Sequence, residues 1–237
     1  MLKEYCMTAA GTMNLALTEE QADKLVRFHE MLTAANARIN LTRVSAEWRE
    51  AADRNYLDSM APARFLPKGI QTMVDVGTGA GFPGIPLSIL RQDIRVTLLD
   101  SLGKRVEFLQ SVIDALQLNA CAVHIRAEEA GRQAAYRDAF DVAVSRAVAP
   151  MNVLCELCLP LVRPGGQLLA LKGPGLDEEI RQAENAFAQL GGRCLALHPM
   201  EIPGRDWNHC LAVVEKISPT PEKFPRRAGM PEKKPIL

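Results

Sequence analysis

The stretch MVDVGTGAGFPGIPL (residues 73–87) decides the fold of this 237-residue chain. Its first four residues end a short apolar strand at Val76, three closely spaced glycines form a turn, and a helix follows after Gly84. Glycine is favoured where the backbone needs a positive φ or must approach a ligand closely, and free amides at a helix start attract electron-rich groups. We predict that this loop binds a cofactor. A turn that only joins a strand to a helix is the alternative.

Short apolar segments alternate with helical segments from Ile70 onward, which is typical of a parallel sheet covered on both faces. The predicted strands are TMVDV (72–76), RVTLLD (95–100), ACAVHI (120–125), FDVAVS (140–145), QLLALK (167–172), RCLALH (193–198) and HCLAVVEK (209–216). Only ten residues separate the last two, too few for a helical crossover, so these strands should pair antiparallel. We therefore predict an α/β fold of the Rossmann-like class I methyltransferase type. It has a mostly parallel seven-stranded sheet with a C-terminal antiparallel hairpin, after a small helical N-terminal cap.

Helical spacing also indicates how the rest of the chain is divided. Thr18 and Gln21 form a capping-box pattern that should start a helix ending near Ala37, and a second helix should run from about Ser45 to Phe65. The last segment holds five prolines and five cationic against two acidic residues, which argues against regular structure. The predicted divisions are a flexible extension (1–13), a helical cap (14–68), a cofactor-binding domain (69–217) and a basic tail (218–237).

Composition excludes several classes of protein. Lys and Arg number 28, as do Asp and Glu, so a polyanionic partner needs a local basic patch. The chain has neither a signal-like N-terminus nor a membrane-spanning apolar run, so we expect a cytoplasmic protein, and a monomer. Six scattered cysteines should be reduced and buried. Core packing is favoured for Cys155 and Cys158 over metal or redox chemistry, and no metal site is expected.

Acidic residues at the ends of the first two strands sharpen the prediction for the glycine loop. Asp75 lies two residues before the first glycine. In methyltransferases an acidic residue at this place lies beside the methionine half of S-adenosylmethionine, where a carboxylate can hold the amino group, whereas it would repel a pyrophosphate. Asp100 ends the second strand, where an acidic side chain can bind both ribose hydroxyls. A helix cap is the alternative for Asp100, because Ser101 and Leu102 open the next helix.

Four further residues lie at strand ends, where α/β sheets bind ligands. Ala127 and Glu128 follow the third strand, where the adenine edge would lie, although Glu128 could equally be a solvated charge. Arg146 ends the fourth strand and Lys172 the fifth. A surface salt bridge is the alternative for Arg146, and a lysine extending to solvent is the alternative for Lys172.

The runs DVGTGAGFPGIPL, TLLDSLGKRVEFL, AEE, DVAVSRA and LALKG occur in that order. With them the chain resembles the RsmG family of bacterial small-subunit rRNA methyltransferases, also called glucose-inhibited division protein B. The resemblance implies methyl transfer from S-adenosylmethionine to N7 of a guanosine in the 530 loop of 16S rRNA, guanine 527. It also implies that Gly77 and Phe82 line the methionine side of the cofactor, Ala127 and Glu128 the adenine side, and Arg146 the junction with guanine. Thr78 and Gly79 of the same loop are also expected to bind the cofactor.

The chain departs from the family pattern in two places. Many members have His-x-x-Asp-Ser where this chain has Asn55-Tyr56-Leu57-Asp58-Ser59. Some have Glu-Arg-His where it has Trp207-Asn208-His209, so the role of an arginine in that last loop is open, although Arg205 could reach the same space.

The predicted chemistry needs alignment more than proton transfer, because N7 of guanine carries a free lone pair. We expect no general base, and we expect Arg146 and Lys172 to position the base. Phosphate contacts should come from basic residues near the sheet edge and in the tail. These are Arg43, Arg49, Lys104, Arg105, Arg126, Arg226, Arg227, Lys233 and Lys234.

Each of these charges could instead be solvated, and the tail could simply pack over the sheet. Three rival functions stay open. A nicotinamide-dependent oxidoreductase leaves Asp75 and the closing hairpin unexplained. A methyltransferase for another substrate and a non-catalytic rRNA-binding assembly factor differ from the main prediction in their reaction.

Overall fold

The computed structural model describes residues 1–39, 41 and 47–237. Its centre is a seven-stranded sheet in the order β3-β2-β1-β4-β5-β7-β6. Strands β1 to β5 are parallel, whereas β7 runs antiparallel to both β5 and β6. The strands are β1 (Thr72–Val76), β2 (Arg95–Asp100), β3 (Ala120–His124), β4 (Phe140–Arg146), β5 (Val162–Lys172), β6 (Gly192–Met200) and β7 (His209–Lys216).

The predicted α/β fold is therefore confirmed, including the antiparallel strands at the end. Strand β5 begins five residues earlier than predicted, at Val162. The helices of the sheet region are α5 (Gly84–Leu90), α6 (Gly103–Leu116), α7 (Ala127–Ala130), α8 (Met151–Cys158) and α9 (Leu176–Leu190). Buried apolar side chains form two clusters, and successive residues of β1 belong to different ones, Met73 to the first and Val74 to the second. Adjacent strand residues point to opposite faces, so the sheet is covered on both sides.

The N-terminal residues are ordered, and the expectation of a flexible extension over residues 1–13 is wrong. They form helix α1 (Leu2–Thr12). Cys6, Ala9, Ala10 and Met13 are buried, at the i, i+3, i+4, i+7 spacing of one helical face. Two of these side chains are alanines, so the apolar stripe is weak in the sequence although the helix packs well.

The helical cap before the sheet is confirmed where the chain is described. Helix α2 (Glu19–Ile39) opens with the predicted capping box, in which Thr18 N–H donates to Gln21 Oε1 and Gln21 N–H to Thr18 Oγ1, at 2.9 and 3.2 Å. Arg43 and the predicted helix start at Ser45 lie outside the described residues. The second helical stretch comprises α3 (Trp48–Ala51), a π-helical turn (Ala52–Leu57), α4 (Asp58–Met60) and a 3-10 turn (Ala61–Phe65).

The proline-rich tail folds back onto the domain, and the expectation that it lacks regular structure is wrong at one turn. Helix α10 (Met230–Lys233) forms there, and Phe224 and Ile236 are buried in the core. Arg226 donates to the fully buried carboxylate of Glu156 on α8, at 2.5 Å in the closest contact. A buried carboxylate needs such a partner, so this contact fixes the tail against the sheet helices. The division of the chain into four segments otherwise stays a prediction.

Two further sequence predictions concern cysteines and membranes. Cys155 and Cys158 lie fully buried on α8, and burial raises the pKa of both thiols, so their predicted role in the core is confirmed. The expectation that all six cysteines are buried is wrong for Cys121, which is exposed, and for Cys194 and Cys210, which are half-buried. Among the described residues, no helix is long and apolar enough to cross a bilayer.

Candidate functional site

The glycine loop connects β1 to α5 at the carboxyl edge of the sheet. Gly77 and Gly79 adopt φ values of 71° and 61°, in the left-handed region that glycine enters without strain. The amides of Gly77 and Thr78 donate to Leu99 O on the neighbouring strand, at 3.0 and 3.1 Å. A side chain at Gly84 would collide with Leu98 and the Asp75 carboxylate. The backbone of the loop is therefore fixed closely against β1 and β2.

Asp75 lies beneath this loop and is fully buried. Its Oδ2 accepts a 2.7 Å hydrogen bond from the Gly84 amide, whereas Oδ1 has no hydrogen-bond partner in the described structure. Burial raises the pKa of Asp75 to about 7, against the opposing influences of the Thr78 hydroxyl and the Gly84 amide. The contact of Asp75 with Gly84 is thus structural, and its direct contact with a cofactor stays a prediction.

Asp100 joins the loop to the next helix. Its Oδ2 accepts from the Gly79 amide and its Oδ1 from the Leu102 amide, both at 2.9 Å. Arg105 also donates to Oδ2, at 3.3 Å. Both roles considered from the sequence are compatible with this geometry, because a carboxylate offers about four acceptor positions, so a cap on α6 leaves capacity for ribose hydroxyls.

These residues fit the predicted cofactor, S-adenosylmethionine, by two observations. Thr78 Oγ1 and Asp75 Oδ1 are buried polar atoms that make no hydrogen bond of normal geometry in the described part of the chain, although the Thr78 hydroxyl is close enough to lower the pKa of Asp75. Such atoms are costly unless a ligand or water satisfies them. The space around Gly79 is open, since an added Cβ would have no neighbour within 4 Å. A polar ligand can therefore approach the loop from this side.

The predicted adenine side lies at the start of α7. Ala127 is half-buried, and Glu128 is 8% exposed. The Glu128 carboxylate accepts a 2.8 Å hydrogen bond from the Gly229 amide of the tail. Glu128 is therefore not a solvated charge. The tail holds it at the position where an adenine contact is predicted.

Arg146 lies between the glycine loop and the helical cap. Its guanidinium carbon is 5.1 Å from the centroid of the Phe82 ring, within range of a cation–π contact. Its Nη1 donates to Arg54 O in the π-helical turn at 2.6 Å and to Asp58 Oδ2 at 3.1 Å. The next residue, Ala147, adopts a left-handed φ of 55°, a strained conformation that is often found at functional sites.

A cavity of about 630 Å³ opens beside Arg146, within the size range of small-molecule sites. It is bordered by the ends of β4 and β5, the start of β7 and the cap. Lys172 lines it, and the Lys172 ammonium donates to Ala149 O at 2.5 Å and to Glu179 Oε2 at 2.7 Å. Lys172 is therefore held at the cavity wall and does not extend to solvent.

Sequence reasoning did not select two further residues of this cavity, Asp58 and His209. Asp58 is buried on α4, and its Oδ1 lies 2.9 Å from Nδ1 of His209, the first residue of β7. One signal could have found His209. Because β7 runs opposite to the parallel strands, it begins at the edge of the sheet where those strands end. The first residue of β7 therefore lies at the ligand-binding edge.

Arg205 does not line the cavity beside Arg146. Its Nε donates to the buried Asp53 at 2.6 Å, and its guanidinium lies 5.5 Å from the Trp207 ring centroid. It lines a neighbouring cavity of about 560 Å³ between α1 and the segment before β7. The guanidinium carbon of Arg54 also lies over the Trp207 ring, 4.7 Å from its centroid.

The basic residues predicted to bind RNA differ in how free they are. Lys104 and Arg126 are exposed at the carboxyl edge of β2 and β3, and Arg49 is exposed on the cap. Arg105 pairs with Asp100 and Arg226 with Glu156. Of the tail cations predicted to bind RNA, Arg227, Lys233 and Lys234 are exposed, as is Lys223.

Comparison with known proteins adds the family. The family model "rRNA small subunit methyltransferase G", GidB, matches residues 21–206, which include the glycine loop, Arg146 and Lys172. The chain belongs to this family. Its members are rRNA methyltransferases by name, which agrees with the seven-stranded sheet and the site at its carboxyl edge.

Curated relatives match over nearly the whole chain. A Clostridium botulinum protein named ribosomal RNA small subunit methyltransferase G is 45% identical over 230 residues, which cover 96% of each chain. A protein of the same name from Alkaliphilus metalliredigens is 43% identical over 239 residues, covering 100% of this chain and 98% of the relative. The family therefore extends through the N-terminal helices and the tail, beyond the limits of the family model.

Solved structures at low identity share the fold. A TehB-like SAM-dependent methyltransferase from Corynebacterium glutamicum superimposes with a TM-score of 0.51 at 17% identity, covering 79% of this chain and 98% of the other. TYW2 of M. jannaschii in complex with AdoMet gives a TM-score of 0.52 at 14% identity, covering 68% and 75%. These similarities establish the Rossmann-like methyltransferase fold and no more.

Proposed function

We propose that this protein transfers a methyl group from S-adenosylmethionine to N7 of guanine 527, the guanosine in the 530 loop of 16S rRNA. The observation that carries the proposal is the position of Arg146. It lies against Phe82 of the glycine loop on one side and lines the 630 Å³ cavity on the other. A residue in this position can contact both the methyl donor and the base, as an enzyme that joins two ligands requires.

The cofactor is proposed to occupy the glycine loop and the ends of β2 and β3. The bound cofactor supplies a methyl group on a sulfonium sulfur. The residues proposed to hold it are Asp75, Gly77, Thr78, Gly79, Phe82, Asp100, Ala127, Glu128 and Arg146. The buried Asp75 Oδ1 and Thr78 Oγ1, both without partners in the described structure, support the methionine side. The nearly buried carboxylates of Asp100 and Glu128 support the ribose and adenine sides.

The protein's contribution to the reaction is proposed to be alignment. Guanine N7 presents its lone pair without losing a proton, so the proposal includes no general base. Orienting two reactants can lower a barrier by roughly 7–11 kcal/mol. Arg146 and Lys172 are suited to this task, because Asp58 fixes the first and Glu179 the second at the cavity wall. Each cation is also paired with a carboxylate, which limits its repulsion of the charge that the methylated base acquires.

The RNA is proposed to lie along the carboxyl edge of the sheet. Lys104, Arg105 and Arg126 at the ends of β2 and β3, with Arg226, Arg227, Lys233 and Lys234 of the tail, would contact phosphates. The exposure of Lys104, Arg126 and Arg227 supports this part of the proposal. Arg226 would contribute less, because it pairs with Glu156. We propose that the enzyme acts as a monomer in the bacterial cytoplasm, where small ribosomal subunits are found.

Mass mapping of 16S rRNA from cells with and without this gene tests the proposal. The expected result is loss of one N7-methylated guanosine, restored by the intact gene. Unchanged rRNA would reject the rRNA substrate. Calorimetry with S-adenosylhomocysteine and with NAD tests the cofactor separately, and binding of NAD alone would reject the methyl-transfer chemistry.

A further inference from the structure

One carboxylate joins three parts of the candidate site. Asp58 Oδ2 accepts from Arg146 at the end of β4, and Asp58 Oδ1 lies 2.9 Å from His209 at the start of β7. Its side chain is 6% exposed, whereas those of Arg146 and His209 are 20% and 29% exposed. The carboxylate is therefore less exposed than its two polar partners, and all three residues line the 630 Å³ cavity.

The contact with Asp58 fixes the hydrogen-bonding polarity of the histidine. A carboxylate accepts hydrogen bonds and does not donate them, so Nδ1 of His209 carries the hydrogen. In the neutral ring Nε2 is then an acceptor. Within residues 1–39, 41 and 47–237, Nε2 of His209 makes no hydrogen bond. With the His209 ring neutral, the site thus holds a donor, Arg146, and an acceptor, His209 Nε2, on either side of Asp58.

We propose that Arg146 and His209 together select guanine: Arg146 donates to O6, and His209 Nε2 accepts from the N1–H or 2-amino group. The inference rests on the proposed function and specifies how its substrate base is recognised. Around the guanine ring the order of groups is N7, O6, N1–H. Along the site the order is the glycine loop at Phe82, then Arg146, then Asp58 and His209. The two orders match when N7 faces the loop.

This arrangement distinguishes guanine from adenine, whose N7 is also a nucleophile. Adenine carries an amino donor in place of O6 and an acceptor at N1, so both polarities are reversed. A site whose polar groups would be left unpaired rejects such a base strongly. Asp58 acts here as a positioning residue, because its two carboxylate oxygens are engaged by Arg146 and His209.

The alternative is a purely structural role, in which the Asp58–His209 contact only holds the helical cap against β7. Two substitutions of His209 separate these roles. Asparagine places an amide donor near the position of Nδ1 and can keep the bond to Asp58, but it has no group at the position of Nε2. Glutamine places an amide near Nε2 and loses the group at Nδ1. The matched control is His198→Asn on β6, where the histidine stacks on Phe65 at 4.3 Å outside the cavity.

The experiment measures kcat/KM for methyl transfer to small ribosomal subunits lacking the modification, with S-adenosylhomocysteine affinity and Tm for each variant. If His209 recognises the base, the kcat/KM of His209→Asn should fall by roughly 10- to 100-fold, which is the usual effect of leaving a polar group unpaired in a recognition site. His209→Gln should stay at least tenfold more active than His209→Asn, and His198→Asn should match the parent. The reverse order of the two His209 variants, or equal activities, overturns the inference.

A second arm changes the base. Small subunits are reconstituted with 1-methylguanosine at the target position, which removes the N1–H donor. On this substrate the kcat/KM of the parent enzyme should fall by roughly 10- to 100-fold. The kcat/KM of His209→Asn should fall by less than about threefold, because this variant already lacks the acceptor. Equal losses in both enzymes would indicate a steric effect and overturn the N1–H contact. If the parent methylates no guanosine in any subunit, the proposed function fails and this inference fails with it.

Discussion

The Asp75 carboxylate accepts a 2.7 Å hydrogen bond from the backbone amide of Gly84, nine positions further along the chain. The contact closes the glycine loop from below and fixes the start of α5. It places a carboxyl group in full burial, where the charged form is disfavoured. The raised pKa of Asp75, about 7, follows from this burial.

The titration of Asp75 should make stability depend on pH. Its folded pKa lies above the unfolded value near 3.8, so the folded state binds more protons between about pH 4 and pH 7. The stability that Asp75 contributes is complete below the unfolded pKa and decreases as pH rises through about 7. In Asp75→Asn, which cannot titrate, the decrease in Tm between pH 5 and pH 8 should be smaller than in the parent. The same decrease in both proteins would contradict the assignment.

Asp100→Ala should weaken cofactor binding. It removes the contacts to the Gly79 and Leu102 amides together with the proposed ribose contact, and charge-assisted hydrogen bonds contribute roughly 1.5–3 kcal/mol, or about 10- to 150-fold in affinity. Calorimetry with S-adenosylhomocysteine measures the effect. Asp93→Ala is the control, because Asp93 is an exposed carboxylate just before the start of β2, at the end of the strand opposite to Asp100. Parent affinity in Asp100→Ala would leave Asp100 with the capping role alone.

Arg146→Lys should lower turnover more than stability. Lysine keeps the charge, but it lacks the planar fork that contacts Arg54 O and Asp58 together, so the alignment of the base should suffer. We expect a loss in kcat of about 10-fold or more, with a change in Tm of only a few degrees. Arg163→Lys is the matched control, since Arg163 pairs with Asp141 near the start of β4. Parent kcat in Arg146→Lys would make Arg146 a structural residue.

Arg226 and Arg227 are adjacent and should behave differently. Arg226→Ala leaves the buried Glu156 without its cation, which typically costs about 3–5 kcal/mol, so Tm should fall markedly. Arg227→Ala removes an exposed cation, so Tm should stay constant. If the tail binds RNA, Arg227→Ala should also make the binding of small subunits less dependent on salt concentration. An unchanged salt slope after replacing Arg227, Lys233 and Lys234 together would assign the tail to packing alone.

The sheet was largely predictable from the sequence, whereas several contacts of the site were not. Buried parallel strands need continuous apolar runs, so six of the seven strand starts were placed within one residue, the exception being Val162. The pairing of Asp58 with His209 spans 151 positions, and no local pattern records such a contact. Helix α1 was missed because alanines carry much of its buried face.

The tail also shows that a sequence pattern does not reveal long-range contacts, here in a segment expected to lack structure. Its composition of prolines and cations is typical of an unstructured segment, and that pattern does not reveal the partner that holds it. The partner is Glu156, which looks like an ordinary helical charge in the sequence but is fully buried on α8. Tertiary packing therefore overrode a correct observation about composition.

The position of β7 between β5 and β6 has a consequence for biosynthesis. The strands that flank it are both made first, and neither pairs with the other. Until residues 209–216 have left the ribosome, the nascent chain carries an unpaired edge on β5 and another on β6, and such edges favour aggregation. One strand then covers both edges at once. The nascent chain is thus most open to edge-to-edge pairing just before residues 209–216 emerge.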